Sequence, residues 1–237
     1  MNIFQSFTLK KFNNSCKDNI INFSKFLKYR DNDGWYRLKL TDDQTLLLKD
    51  LAVKHEDNTY PNYLIYTNTN ELTILLATYA LWSIIYKNNI QVCYFAKTLT
   101  EGAEFLYTVK MLYESLPELV KPKINASNEY CFKLDNLSRI RLATTADSMR
   151  GQQMNIVIFD YFDRYNDKQK SDAVYSIAPT VYSASHTSHQ LIFSAQSASV
   201  KWVTDMYAMC GIKKNTALCE LAAEFEILAM QEKSTDE

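Results

Sequence analysis

The sequence predicts an α/β fold in which helices flank a mainly parallel central sheet. Short runs of apolar and β-branched residues alternate along the chain with longer segments that carry apolar residues at helical spacing. The run "NIVIFD" at residues 155–160 is almost continuously apolar, as in a strand that is buried on both faces of a parallel sheet. A chain of 237 residues is also long enough to form one substantial hydrophobic core.

The order of the elements follows from these patterns. Strands are predicted from the apolar runs at residues 63–66, 91–96, 130–134, 139–144, 155–160 and 190–194. Helices are predicted from the helical spacing of apolar residues at 17–29, 41–53, 72–87, 100–115, 168–177 and 201–209. The segment "ALCELAAEFEILAM" at 217–230 predicts a final helix, and the charged stretch "QEKSTDE" follows it. Asp135 and Asn136 predict a tight hairpin turn between two of the strands.

Composition narrows the classes of function. Lysine and arginine total 26 and aspartate and glutamate 27, so a formal net charge of −1 provides no global field that attracts nucleic acid. The five cysteines form no CxxC pair, and we expect reduced thiols rather than a metal site. The longest apolar segment, 72–86, is shorter than the ~20 residues that span a bilayer, and the N-terminus has no apolar leader run. We therefore expect neither a membrane anchor nor a signal peptide.

The stretch "NYLIYTNTNELTILLATYALW" at residues 62–82 has the layout of a phosphate-binding loop. A short apolar strand leads into a polar loop, and the loop leads into a buried helix whose N-terminus could receive an anion. The loop at 67–73 nevertheless contains no glycine and no lysine, and the whole chain has only 4 glycines. Glycine scarcity opposes a close approach of backbone to phosphate. A helix-capping loop is the structural alternative, with an Asn or Thr cap and Glu71 in the first helical turn.

Four segments, in this order, resemble the ATPase domain of the large terminase subunit of tailed bacteriophages, the motor that packages double-stranded DNA. They are "KLTDDQTLLLKDL", "LLATYALWSIIY", "EFLYTVKMLYESLPELVKPKI" and "LDNLSRIRLATTADSMRGQQMNIVIFD". The resemblance covers residues 23–210 and implies a P-loop NTPase fold. It divides the chain into an N-terminal helical lead-in at 1–40, a terminase ATPase-like domain at 41–210, and a C-terminal helix and charged tail at 211–237. The family's nuclease domain has no counterpart in these 237 residues.

The resemblance assigns a degenerate nucleotide pocket to one group of residues. Gln44 stands where the family has a glutamine that contacts adenine, and Asn68 stands where it has an arginine early in the loop. Glu71, Leu72 and Thr73 occupy the positions of its Gly-Lys-Thr. Because Glu71 would repel a polyphosphate and the lysine is replaced by leucine, the pocket lacks its usual attraction for a triphosphate. Thr73 alone keeps the hydroxyl that would face Mg²⁺.

A second group of residues carries the remnants of the catalytic site. Asp160 holds the position of the metal-binding carboxylate, so Asp160 and Thr73 form a remnant Mg²⁺ site. Tyr161 replaces the glutamate that activates water, and a phenol with a pKa of about 10 is a poor base at neutral pH. Gln196 follows the last strand where the family senses the γ-phosphate, or is an ordinary loop residue. Arg150 precedes a glycine as does the family's arginine finger, or is a surface arginine at a turn.

These observations lead to three functional hypotheses. The first is a catalytically degenerate relative of the terminase ATPase domain, of phage origin, which acts by binding and needs no ATP or Mg²⁺. The second is an active DNA-packaging ATPase, which would use ATP and Mg²⁺ with Arg150 or Lys97 as the cation and Asp163 as the base. The third is a structural or regulatory virion protein.

The expected partners follow from the first hypothesis. They are a terminase ring, a portal or other phage protein, or a second copy of the chain, in the cytoplasm of an infected bacterium or in the virion. Double-stranded DNA is a further partner that the resemblance implies, although the lysines and arginines are spread without one dense block.

Overall fold

An eight-stranded mixed sheet forms the centre of the molecule in the computed structural model. The structure describes residues 13–53, 62–67, 71–149, 152–177, 181, 190–195 and 225–230. The strands are β1 (Lys28–Asp31), β2 (Gly34–Arg37), β3 (Asn62–Thr67), β4 (Gln91–Phe95), β5 (Ile124–Ser127), β6 (Cys131–Leu134), β7 (Arg139–Ala143), β8 (Ile156–Phe159), β9 (Gln190–Ala195) and β10 (Phe225–Met230). The helices are α1 (residues 13–18), α2 (Ile20–Ser24), α3 (Asp42–Ala52), α4 (Leu72–Tyr86), α5 (Leu99–Glu114) and α6 (Asp167–Asp172).

The sheet is mainly parallel, as the sequence predicts. Its strand order is β10-β3-β9-β8-β4-β7-β6-β5. All neighbours from β10 to β7 pair in parallel, whereas β6 and β5 add antiparallel strands at one edge. The carboxyl ends of six parallel strands consequently share one edge of the sheet, where α/β folds place their ligand sites. β1 and β2 form a separate antiparallel hairpin.

Hydrophobic cores lie on both faces of the sheet. Along β8, Ile156 and Ile158 pack into the core that includes α3, α4 and α5, whereas Val157 and Phe159 pack into a second core. The second core also contains Phe162 and other side chains of the segment that follows β8. Burial on both faces explains why the run at 155–160 is apolar without alternation. The predicted fold class is therefore confirmed.

The predicted helix boundaries hold best where the sequence supplies a cap. Thr41 caps α3 and Thr98 caps α5, and each forms a capping box with the Gln44 or Glu101 that lies three residues later. α4 agrees with the predicted helix at 72–87 and is buried on nearly all sides. The predicted helix at 168–177 is α6 followed by a π-helical turn, Ala173–Ile177. The short helical turns Glu118–Val120, Ala146–Met149 and Phe162–Arg164 complete the described structure.

Two helix predictions are wrong. The helix predicted at 17–29 is interrupted at Asn19, which caps α2. The end of the predicted range belongs to the strand β1 instead. The turn after β1 is fixed by Asp31, whose side chain accepts hydrogen bonds from two backbone amides. A helix is also predicted at 217–230, but Phe225–Met230 form the strand β10, which pairs with β3. Pairing with the otherwise open edge of β3 overrides local helix propensity there. β5 was not predicted because all four of its residues are exposed.

Several predictions concern residues outside the described part of the chain. These are the helix at 201–209, the tail at 231–237 and the residues 217–224. The division into segments at 1–40, 41–210 and 211–237 also stays a prediction. In the described residues, no helix combines the length and apolarity that a membrane span requires.

Candidate functional site

The carboxyl edge of the sheet brings three side chains together around Asp160. Asp160 directly follows β8, Ser194 lies near the end of β9, and Tyr94 lies near the end of β4. Thr73 lies in the first turn of α4, the helix that follows β3. Because β9 lies between β3 and β8, and β4 lies on the other side of β8, all four elements converge on the carboxyl end of β8.

The Asp160 carboxylate is surrounded by hydrogen-bond donors of the protein itself. Its Oδ2 accepts from the Tyr94 hydroxyl at 2.5 Å and from Thr73 Oγ1 at 3.4 Å. Its Oδ1 accepts from Ser194 Oγ at 2.5 Å, and Ser194 Oγ in turn accepts from the Tyr161 backbone N–H at 2.9 Å. Asp160 is only 4% exposed. We call Asp160, Tyr94, Ser194 and Thr73 the Asp160 cluster.

Burial and hydrogen bonding act on the Asp160 carboxyl in opposite directions. Burial raises its pKa above the ordinary value, and the hydrogen bonds from Ser194, Tyr94, Thr73 and the Tyr161 backbone lower it by less. Charged or neutral, both oxygens have protein partners, so the cluster satisfies itself. That arrangement is typical of a buried structural hub.

The sequence analysis missed two residues of this cluster, Ser194 and the aromatic Tyr94. Its ring stacks on Phe105 of α5, with 3.7 Å between ring centroids, and this contact fixes the direction of its hydroxyl. Burial, followed by the charge of Asp160, raises the pKa of Tyr94 well above 10. Tyr94 is therefore a neutral donor at physiological pH. Its sequence signal is a hydroxyl near the end of the strand "QVCYF", after the apolar Val92 and Cys93.

Tyr161, which the resemblance predicts to replace a water-activating glutamate, has a backbone conformation that disfavours a large side chain. Its φ of 48° and ψ of 49° are left-handed, which costs a non-glycine residue about 1–2 kcal/mol. The Arg164 guanidinium carbon lies 4.3 Å from the centre of its ring. Burial, followed by the nearby charge of Asp160, raises the pKa of the Tyr161 phenol. A phenol with a raised pKa is even less suited to act as a base at neutral pH.

The described end of the loop before α4 is tied to α3 by Glu71 and Gln44. Glu71 is the N-cap residue of α4 and makes no side-chain cap hydrogen bond, and α4 has no acidic residue in its first turn. The predicted placement of Glu71 inside that turn is therefore wrong. Its carboxylate instead accepts a hydrogen bond from Gln44 Nε2. Gln44 Oε1 accepts from the Thr41 backbone N–H at 3.0 Å, so both ends of the predicted adenine-contacting amide have protein partners.

Leu72, which the resemblance predicts at the position of a lysine, is completely buried in the core that contains α4. A cavity of about 430 Å³ lies beside this loop end and is lined by Tyr29, Tyr36, Arg37, Leu38, Lys39, Thr41, Gln44, Glu71, Ile74 and Leu75. Thus the structure brings Gln44 together with Glu71, and Thr73 together with Asp160. Asn68, Arg150 and Gln196 lie outside the described residues.

The described residues do not fit a magnesium–triphosphate. Both oxygens of the carboxylate that would hold the metal already accept hydrogen bonds from hydroxyl donors, and Leu72, where the resemblance predicts the phosphate-binding lysine, is buried. No group of three or more His, Cys, Asp or Glu side chains with metal-binding geometry occurs in the described part of the chain. We therefore derive no step of ATP hydrolysis from this site.

Comparison with known proteins identifies the class of fold. The crystal structure of the HK97 bacteriophage large terminase matches with a TM-score of 0.59 at 13% identity, over 93% of this chain and 45% of that one. The large terminase of a thermophilic bacteriophage in complex with ADP matches with a TM-score of 0.56 at 13% identity, over 81% of this chain and 46% of that one. S. cerevisiae Dbp5, in a structure that contains ADP, matches with a TM-score of 0.50 at 14% identity, over 82% of this chain and 49% of that one. No protein-family model and no curated protein sequence matches the chain.

These similarities confirm the predicted resemblance at the level of the fold. The chain has a P-loop NTPase-like architecture of the kind found in phage large terminases. It spans less than half the length of the terminase structures that it matches. At 13% identity the likeness carries the architecture and leaves the chemistry of the site to be argued from this chain's own residues.

Proposed function

We propose that this protein is a catalytically degenerate relative of the phage terminase ATPase domain, which acts by binding other molecules. The observation that carries the proposal is the Asp160 cluster. In a working metal site the carboxylate must be free to accept Mg²⁺ or a water molecule held by it. Here Tyr94 and Ser194 each donate to Asp160 at 2.5 Å, one to each carboxylate oxygen.

Energetics support this proposal over an active ATPase. Hydrogen bonds to a charged group contribute about 1.5–3 kcal/mol each, so releasing Tyr94 and Ser194 from Asp160 would offset much of what a metal could gain. The active alternative also requires a substitute cation and base. Lys97 lies after β4, and Asp163 lies in the helical turn after β8.

The proposed partners are a terminase ring, a portal or other phage protein, or a second copy of the chain, in the cytoplasm of an infected bacterium. A structural role in the virion is the alternative within the same proposal, and co-purification with mature particles tests it. Within a mixed ring, Arg150 would donate its guanidinium to an active neighbour. Mixing the protein with an active homologue and repeating the assay with Arg150→Ala tests that role, since an unchanged ATPase rate in both mixtures would contradict it.

We expect the purified protein to hydrolyse ATP at no rate above a buffer blank containing Mg²⁺, because neither the metal carboxylate nor a base is available. Release of inorganic phosphate over hours is the measurement. The matched control is the Asp160→Asn variant, which should give the same trace as the wild type. Turnover by the wild type that Asp160→Asn abolishes would contradict the proposal and support an active packaging motor.

A further inference from the structure

A polar cavity lies at the edge of the sheet opposite to the Asp160 cluster, at the amino ends of β4, β7 and β8. Its volume is about 490 Å³. The cavity is lined by Asn89, Gln91, Lys133, Leu137, Arg139, Gln152, Gln153 and Asn155. Five of these side chains are amides and two are cations, and no carboxylate is among them. We call this the amide cavity.

The strand register concentrates positive charge along one side of the amide cavity. Arg139 of β7 is the register partner of both Lys133 in β6 and Gln91 in β4, and register partners project from the same face of a sheet. Arg141 lies two residues further along β7 and projects from that face as well. Among the residues that the structure describes, none of these three cations forms an ion pair with a carboxylate. Adjacent like charges destabilise a sheet unless an anion lies between them.

Two buried polar atoms beside this row have no hydrogen-bond partner among the residues that the structure describes. They are Arg139 Nε, a donor, and Gln91 Oε1, an acceptor. The Gln91 amide is oriented by its other end, since Nε2 donates to the Leu137 carbonyl at 3.1 Å. Gln152 Oε1 accepts hydrogen bonds from Arg141 Nη1 and, at 3.4 Å, from Arg139 Nη2. Neither of these hydrogen bonds involves Arg139 Nε. An unsatisfied buried polar atom destabilises the protein, so a ligand that supplies both partners when the two side chains turn toward the cavity would bind with advantage.

Backbone strain is concentrated at the rim of the amide cavity. Asn89 has a φ of 55° and Leu137 a φ of 68°, and both are left-handed non-glycine residues. The Leu137 turn is held by Asn136, whose side chain donates to the Ile84 carbonyl at 2.7 Å and accepts from the Ser138 N–H at 3.0 Å. Strained residues that their surroundings over-determine occur preferentially at binding sites.

We propose that the amide cavity binds a carboxylate-bearing peptide segment, as an acidic stretch of a partner protein would provide. The ligand must offer an anionic acceptor to Arg139 and Lys133 and an N–H donor to Gln91 Oε1. A Glu or Asp side chain and a neighbouring peptide N–H supply both. A phosphodiester backbone supplies no donor, and a nucleobase would find no aromatic ring to stack on among the lining residues.

This site is independent of the proposed loss of ATP hydrolysis, because it lies at the other edge of the sheet. The test is fluorescence anisotropy of a labelled peptide of alternating Glu and Gly, with the corresponding Gln and Gly peptide and a labelled single-stranded oligonucleotide as comparisons. We expect the acidic peptide to bind, and we expect no binding of the neutral peptide or the oligonucleotide. Equal binding of the neutral peptide or tighter binding of the oligonucleotide would overturn the proposal.

Two variants locate the binding. Arg139→Gln should weaken the acidic peptide at least roughly tenfold, the loss expected for a charge-assisted hydrogen-bonded pair. Gln91→Glu places a carboxylate beside Arg139 within the same row, so it should abolish peptide binding and raise the thermal unfolding midpoint. Arg30→Gln, which removes one exposed arginine from the β1–β2 hairpin, is the matched control and should bind as the wild type does. If Arg139→Gln and Arg30→Gln bind equally well, the amide cavity is not the site.

Discussion

Replacement of Asp160 by alanine is expected to destabilise the protein by about 2–4 kcal/mol, because it leaves the buried hydroxyls of Tyr94 and Ser194 without their acceptor. The loss arises chiefly from these unpaired donors and from the small cavity beside them. Urea denaturation followed by circular dichroism measures it as a shift of the midpoint at constant slope. A change within about 0.5 kcal/mol, as for an exposed surface residue, would contradict a structural role for Asp160.

Asp160→Asn is the matched control, since it keeps the shape of the side chain. Its amide oxygen can accept from Ser194, and its amide nitrogen can donate to the Tyr94 and Thr73 hydroxyls once these rotate. We expect it to lose less than about 1 kcal/mol at neutral pH.

The difference in stability between the wild type and Asp160→Asn should change with pH in a definite direction. Because the pKa of Asp160 is raised in the folded state, its contribution to stability is fully present below the unfolded pKa of about 3.9 and is lost as the pH rises through the folded pKa. The asparagine has no such titration. Relative to the wild type, Asp160→Asn should therefore gain stability as the pH rises from about 4, the ordinary pKa of an aspartate, to neutral.

Introducing a lysine at Leu72, where the resemblance predicts one, is expected to damage the fold without creating a nucleotide site. Leu72 is completely buried among the apolar side chains of the core that contains α4. A lysine there must bury an ammonium group or expose the helix end, and we expect Leu72→Lys to lose at least about 3 kcal/mol. Thermal unfolding with and without millimolar Mg·ATP measures both effects.

The control for this variant is Leu72→Met, which conserves volume and should cost less than about 1.5 kcal/mol. A Leu72→Lys protein that stays as stable as Leu72→Met and gains a nucleotide-dependent rise in its unfolding midpoint would show a pocket lacking only its cation. Such a result would contradict the view that the loop and the Asp160 cluster are both remodelled.

The sequence predicted those parts of the fold that local patterns determine. The buried strand β8 could be read from "NIVIFD", and the start of α3 could be read from Thr41 and Gln44, because an apolar run and a capping box are local signals. β10 could not be predicted, since its pairing with β3 joins residues about 160 positions apart and competes with a helical pattern. The β1–β2 hairpin was missed for a related reason: most of its residues are exposed.

The proximity of Thr73 and Asp160 was predictable, whereas the other contacts of the candidate site were not. The resemblance placed Thr73 and Asp160 near each other, and in the structure Thr73 Oγ1 lies 3.4 Å from Asp160 Oδ2. Tyr94 entered the site only through strand order, which puts β4 beside β8. The tie between Gln44 and Glu71 likewise depends on how α3 packs beside α4, which single-sequence patterns do not specify.

The proposed loss of catalysis, in which the scaffold is preserved and the centre is rewired, would explain these observations together. Where an NTPase of this fold would keep a carboxylate open to a metal, the chain uses Asp160 to join β4, β8, β9 and α4. The most direct test is calorimetric titration of the wild-type protein with ATP in the presence of Mg²⁺. We predict no heat of ATP binding under conditions in which the protein is folded. A saturable isotherm that disappears in Asp160→Asn, while that variant remains folded, would contradict this account.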